Sequence, residues 1–171
     1  MNITPRLVCL IVLCAISFRV SSAPGEKPVM PNYPIDDEVF TLALTKPITG
    51  LEMVRADGYK EWQQWKFVGQ EIAGPQVKRF KLVTIGRCSD FEMVKTKLAQ
   101  RGKIPQGQWR NALKQAFPDA VSHGPIGVAD ASWVEPSPTM QFPSILDDGE
   151  VGFSHVIEMF DGTWRWLVEV E

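Results

Sequence analysis

Residues 89–118 constrain the fold of this chain more than any other stretch, because they carry two successive helical stripes with their own start and stop signals. Ser89 and Glu92 have the Ser-x-x-Glu spacing of a capping box, which satisfies orphan amides at a helix start. Phe91, Val94, Leu98 and Ala99 then recur on one side of a 3.6-residue period, interrupted only by Lys95. Gly102 is expected to end this helix by taking the left-handed conformation, and Pro105 to open the next, where a missing amide hydrogen costs nothing. Trp109, Ala112, Leu113, Ala116 and Phe117 fill all five apolar positions of the second helix before Pro118 stops it. Burying that stripe is worth on the order of 10 kcal/mol before chain entropy is subtracted. Such a pair, joined by a tight connection, must lie on an apolar surface.

The flanking sequence supplies one in the form of strands. Residues 39–44, 51–55, 65–68 and 77–85 are rich in strand formers and separated by Pro47, Gly50, Asp57-Gly58, Gly69 and Gly74-Pro75. After residue 118 come an apolar run at 128–134 and a stretch punctuated by Pro136, Pro138 and Pro143. Two hairpin signals, Asp148-Gly149 and Asp161-Gly162, flank residues 151–159. In the last strand Trp164, Trp166, Val168 and Val170 alternate with Arg165, Leu167, Glu169 and Glu171, a period that predicts one buried face. Strands, two helices and strands again predict an α+β fold. Its expected form is a mostly antiparallel sheet with the two-helix unit, about 89–117, packed on one face.

The beginning of the chain reads differently. Arg6 precedes an apolar run over 7–18, and small residues follow at Ser21, Ser22 and Ala23, the order of a secretory signal peptide. The run is short for a bilayer span, although an uncleaved anchor is the alternative reading. Cleavage after Ser22 gives a signal peptide over 1–22, an extended leader over 23–37 carrying Pro24, Pro28, Pro31 and Pro34, and a single globular domain over 38–171. A secreted or periplasmic protein is expected, with no transmembrane segment once the signal is removed. Cys9 and Cys14 leave with it, so Cys88 remains alone and forms no internal disulfide.

Charge is unevenly distributed. Residues 78–114 hold ten cations against Asp90 and Glu92, a net of +8, whereas residues 119–171 hold ten carboxylates against Arg165, a net of −9. On the helices Lys95, Lys97, Arg101, Arg110 and Lys114 fall opposite the apolar stripes. That pattern predicts a basic face for an anionic polymer or an acidic protein, or else a solvated surface balanced by acidic strands. Nucleic acid is a poor candidate partner, because export removes the protein from most of it and the mature chain has a net charge near −4. Six tryptophans add a second kind of interface. Trp109, Trp164 and Trp166 belong to core stripes, which leaves Trp62, Trp65 and Trp133 as candidate anchors.

Enzymatic signals are sparse. Cys88 lies ahead of a helix N-terminus, where the dipole favours a thiolate, and His123 or His155 is the available base. Neither histidine belongs to a metal-ligand spacing, and Asp147, Asp148 and Glu150 lack the spaced oxygens of a calcium loop. There is no glycine-rich phosphate loop, Gly-x-Ser-x-Gly elbow or paired-cysteine site, and no cofactor is expected. The sequence favours a small exported, non-enzymatic binding protein. The alternative is a secreted hydrolase or transferase using Cys88 with a histidine.

Overall fold

The computed structural model describes residues 34–171. The signal peptide expected over 1–22, and the leader up to residue 33, lie outside the described residues. The fold is α+β, and the described residues form one mixed, mostly antiparallel sheet of eight strands with three α-helices. In chain order the elements are β1 (Phe40–Leu44), α1 (Gly50–Ala56), β2 (Lys66–Phe67), β3 (Gln76–Thr84), α2 (Phe91–Ala99) and α3 (Trp109–Ala116). They continue with β4 (Ile126–Gly127), β5 (Trp133–Val134), β6 (Met140–Ile145), β7 (Val151–His155) and β8 (Arg165–Val170). The strand order is β1-β3-β8-β4-β6-β5-β2, with β7 on the other side of β6. Among the described residues only β4 and β8 pair in parallel.

Residues 51–55 form a helix, not the expected strand. Thr49 and Glu52 make a reciprocal capping box, and both Glu71 carboxylate oxygens accept from the Gly50 amide at 3.1 and 3.0 Å. Four orphan amides at a helix start need such acceptors, and Met53 and Val54 then turn inward. The box expected at Ser89 and Glu92 is replaced by a simpler cap. Asp90 accepts from the Met93 amide at 2.8 Å, while the Ser89 hydroxyl donates to Asp90.

β8 is buried on both faces, because it lies inside the sheet and a helix covers each side. Trp166 and Val168 join Phe91, Val94 and Leu98 of α2 in one core. Leu167, between them, joins Trp109, Ala112 and Leu113 of α3 in another. Neighbouring strand residues point to opposite faces. The two helices are therefore divided between the faces and do not share one. The connecting residues 100–108 can span about 30 Å when extended, enough to round the end of a sheet. Pairing of Lys103 with Glu169 fixes them at β8. Gly102 ends no helix in a left-handed turn. A Cβ there would come within 2.7 Å of the Glu169 carbonyl oxygen, so close backbone approach is what requires glycine. α3 begins at Trp109, four residues after Pro105.

Pro143 lies within β6, a place proline normally avoids. Its carbonyl accepts from Val128, and the Val128 carbonyl, which an amide at 143 would have met, accepts from Asp130 instead at 2.7 Å. The missing donor thus lets the chain leave the sheet between β4 and β5.

Candidate interaction surface

The expected basic face on the two helices does not exist as one surface. Arg110 is fully buried, not exposed. Its guanidinium grips Asp57 with two bonds of 2.6 and 2.9 Å, meets Asn111 Oδ1 at 3.0 and 2.6 Å, and donates to the Gly152 carbonyl at 3.0 Å. All five of its N–H groups are used. A charge carried into the interior needs that degree of satisfaction, so Arg110 is a tie between α3, the end of α1 and β7. Lys114 donates to the Pro118 carbonyl. Lys97 reaches back to the Ile85 and Arg87 carbonyls, and Lys95 pairs with Glu92 one turn away. Of the five helix cations expected to bind a partner, Arg101 has the most open setting.

The tryptophan anchors also turn inward. Trp133 is fully buried, donates from Nε1 to the Gly50 carbonyl at 2.8 Å, and packs on Phe67 and Phe153. Trp65 is buried against Tyr59 and Phe153. With Met53 and Val54 of α1 these rings form a third core cluster. Trp62 is half-buried on the rim of that cluster, with the Arg55 guanidinium over its ring. Once 51–55 folds as a helix, it needs an apolar partner, and Trp65 and Trp133 provide it.

Cys88 and the histidines are not gathered. Cys88 is fully buried in the aromatic core beneath α2, with Sγ 3.7 Å from the Gly86 carbonyl oxygen. His155 turns Nε2 to Glu135 at 3.1 Å and Nδ1 to Glu158 at 3.3 Å. The Ser137 hydroxyl, and after it His155, hold the Glu135 carboxyl below its ordinary range. His123 ends a 3-10 turn over Ala120–His123 and walls a recess with Pro34, Ile35, Asp36 and Arg165. Among the described residues no group of three or more His, Cys, Asp or Glu side chains is placed to hold a metal ion. No helix among them is long and apolar enough to cross a membrane.

A cationic surface does form elsewhere. α2 covers Val83 on β3 but not the other end of the strand, where Val77 and Arg79 are exposed on the same face. Their partners on the edge strand β1, Ala43 opposite Val77 and Thr41 opposite Arg79, are exposed too. Lys81 continues the row. Arg101 and Lys103, which follow α2, line a recess of about 470 Å³ whose other walls are Gly102, Glu169, Val170 and Glu171. Val170 is the β8 partner of Arg79. Arg79, Lys81 and Arg101 thus border one open patch of sheet, whereas Lys103, directly opposite Glu169, is turned to the other face. Asp37 is the carboxylate beside Lys81 and Arg101, and Arg79 donates to the Glu171 main-chain carbonyl at 2.8 Å. Glu169 is turned to the other face, where it pairs with Lys78 at 3.0 Å.

Arg79 and Lys81 lie outside the helical charge pattern of the sequence. The signal was present in β3, where a period of two sets Val77, Arg79 and Lys81 against Lys78, Phe80 and Leu82. The chain matches no protein-family model, and no curated protein or solved structure shows significant similarity to it.

Proposed function

We propose that this is an exported, non-enzymatic binding protein that takes a linear polyanion across the uncovered end of its sheet. The observation that carries the reading is the open patch of β1 and β3, bordered by Arg79, Lys81 and Arg101. Arg79 and Lys81, two residues apart on one strand face, stand roughly 6.6 Å apart along it. A row of cations at that interval suits a partner with repeated negative groups better than a single ion. The flat, small-residue floor of Thr41 and Ala43 leaves an extended chain room to lie down. Export rests on Arg6, the apolar run over 7–18 and the small residues at 21–23. The thiol-enzyme alternative gains no support from a buried Cys88 and a His155 already engaged by two carboxylates.

The test is retention on immobilised polyanions at about 50 mM salt, where exposed charges are weakly screened. Reversing Arg79, Lys81 and Arg101 to Glu should abolish retention and leave the circular dichroism spectrum native. A control with the same change in net charge, Arg55, Lys60 and Lys66 to Glu, should still be retained. Equal loss in both variants, or none in the first, overturns the assignment. Self-association of the protein at the same concentrations, abolished by the first variant alone, would reassign the patch to a second copy of the chain.

A further inference from the structure

Among the described residues the sheet has three outer strands, and two of them are protected. β2 is only two residues long, and on β7 the Phe153 amide donates to Tyr59 Oη at 3.2 Å. The third, β1, pairs with β3 along one side. Its other side has no main-chain partner among the described residues. Proteins blunt such an edge with a charge, a proline or a bulge, because bare amides and carbonyls template another strand. Phe40–Leu44 reads Phe-Thr-Leu-Ala-Leu, with no charge and no proline, and its register with β3 is unbroken over all five residues.

The flanks of β1 carry a second, independent signal. Glu38 and Lys46 are both exposed, and neither has an ionic partner among the described residues. Each lies four residues from Leu42, one on either side. An antiparallel copy centred on Leu42 therefore sets Glu38 opposite Lys46 of the copy, and Lys46 opposite its Glu38. Between them Phe40 meets Leu44, Thr41 meets Ala43 and Leu42 meets itself, with no charge at any step. The nearest registers that keep the buried and exposed faces matched are two residues away. They set Glu38 against Leu44 or Ile48 and lose both charge pairs.

We infer that β1 pairs with β1 of a second copy of this chain about a two-fold axis through Leu42, making one sheet continuous across a dimer. The contact is isologous and closed, since it uses up the open edge of each copy. Exposed Thr41 and Ala43 of the two copies then adjoin, so the open patches described above meet across the axis. A strip this narrow is below the standard interface size, which places its dissociation constant in the micromolar range.

The experiment is sedimentation velocity at low salt over about 5 to 200 µM protein, the range in which such an interface is populated. A concentration-dependent dimer is expected, with no larger species. Glu38→Lys and Lys46→Glu each oppose like charges at both ends of the contact, and each should weaken the dimer about tenfold. The doubly exchanged protein, Glu38→Lys with Lys46→Glu, should dimerise as the unaltered one does. An equimolar mixture of the two single variants should form a heterodimer of similar strength, which a general effect of net charge would not produce. All variants should keep the native circular dichroism spectrum, since both positions are exposed. A protein that stays monomeric throughout the range overturns the inference, and the polyanion reading then stands or falls on its own retention test. A dimer unchanged in both single variants, or restored neither by the exchange nor by the mixture, overturns it as well. A dimer lost only on reversing Arg79, Lys81 and Arg101 assigns the contact to the face of the patch and overturns the β1 pairing.

Discussion

Two carboxylates meet arginine in this molecule on opposite terms. Asp57 and Arg110 are 4% and 0% exposed and joined at 2.6 Å, inside a network that uses every guanidinium donor. Asp37 and Arg101 are 54% and 45% exposed and 3.7 Å apart, with no hydrogen bond between them. The first pair is mechanical, since removing either partner strands a charge in a medium that cannot solvate it. The second leaves both charges in water, where each can be given to something else. Residue type and helix position do not separate these cases. The difference lies in what surrounds each pair.

That contrast breaks most sharply at Arg110. Arg110→Ala should cost about 3–5 kcal/mol of stability in urea titration, since it leaves Asp57 buried without its partner. Replacing both residues, as Arg110→Met with Asp57→Leu, should recover most of that loss. If the single substitution costs no more than a surface residue, the pair is not the tie described. The open pair should behave in the opposite way. Lys81→Gln and Arg101→Gln together should shift stability by no more than about 0.5 kcal/mol, while weakening retention on immobilised polyanions. A large stability loss there would make the patch structural and remove it as a docking surface.

The smallest effect is a pH effect at a third, fully exposed carboxylate. Asp90 is held below the ordinary aspartate value of 3.8, first by the Met93 amide it caps and then by the Ser89 hydroxyl. A depressed folded-state pKa means the cap stabilises above the unfolded value and its contribution is lost as pH falls through the folded one. The difference in melting temperature between the protein and Asp90→Ala should therefore be full at pH 7 and close up as the pH falls below the ordinary aspartate value of 3.8. A gap independent of pH would assign the effect to helix propensity instead of the charged cap.

Periodicity made much of the fold legible. The stripes of α2 and α3, the long β3, the hairpin at Gly149 and the final strand all follow from apolar spacing and turn residues. The errors came where local pattern was silent about neighbours. Residues 51–55 contain apolar residues compatible with a strand, but Thr49 and Glu52 carried a capping signal for a helix. β8 alternates as though one face were wet, yet Leu167 is buried beneath α3 and Arg165 is buried where its guanidinium meets the Ala120 carbonyl. Trp65 and Trp133 look like anchors until α1 is recognised as the element they cover.

By itself the sequence determined the secondary structure of its strongly periodic segments and the uneven placement of charge, because both depend on spacing along the chain. Only the tertiary structure decided which of those charges meet water. Whether a cation is a buried tie or an open contact depends on what packs around it from distant segments, such as Asp57 on Arg110 and the end of α2 on β3. Such neighbours are brought together by folding and leave no mark in local periodicity.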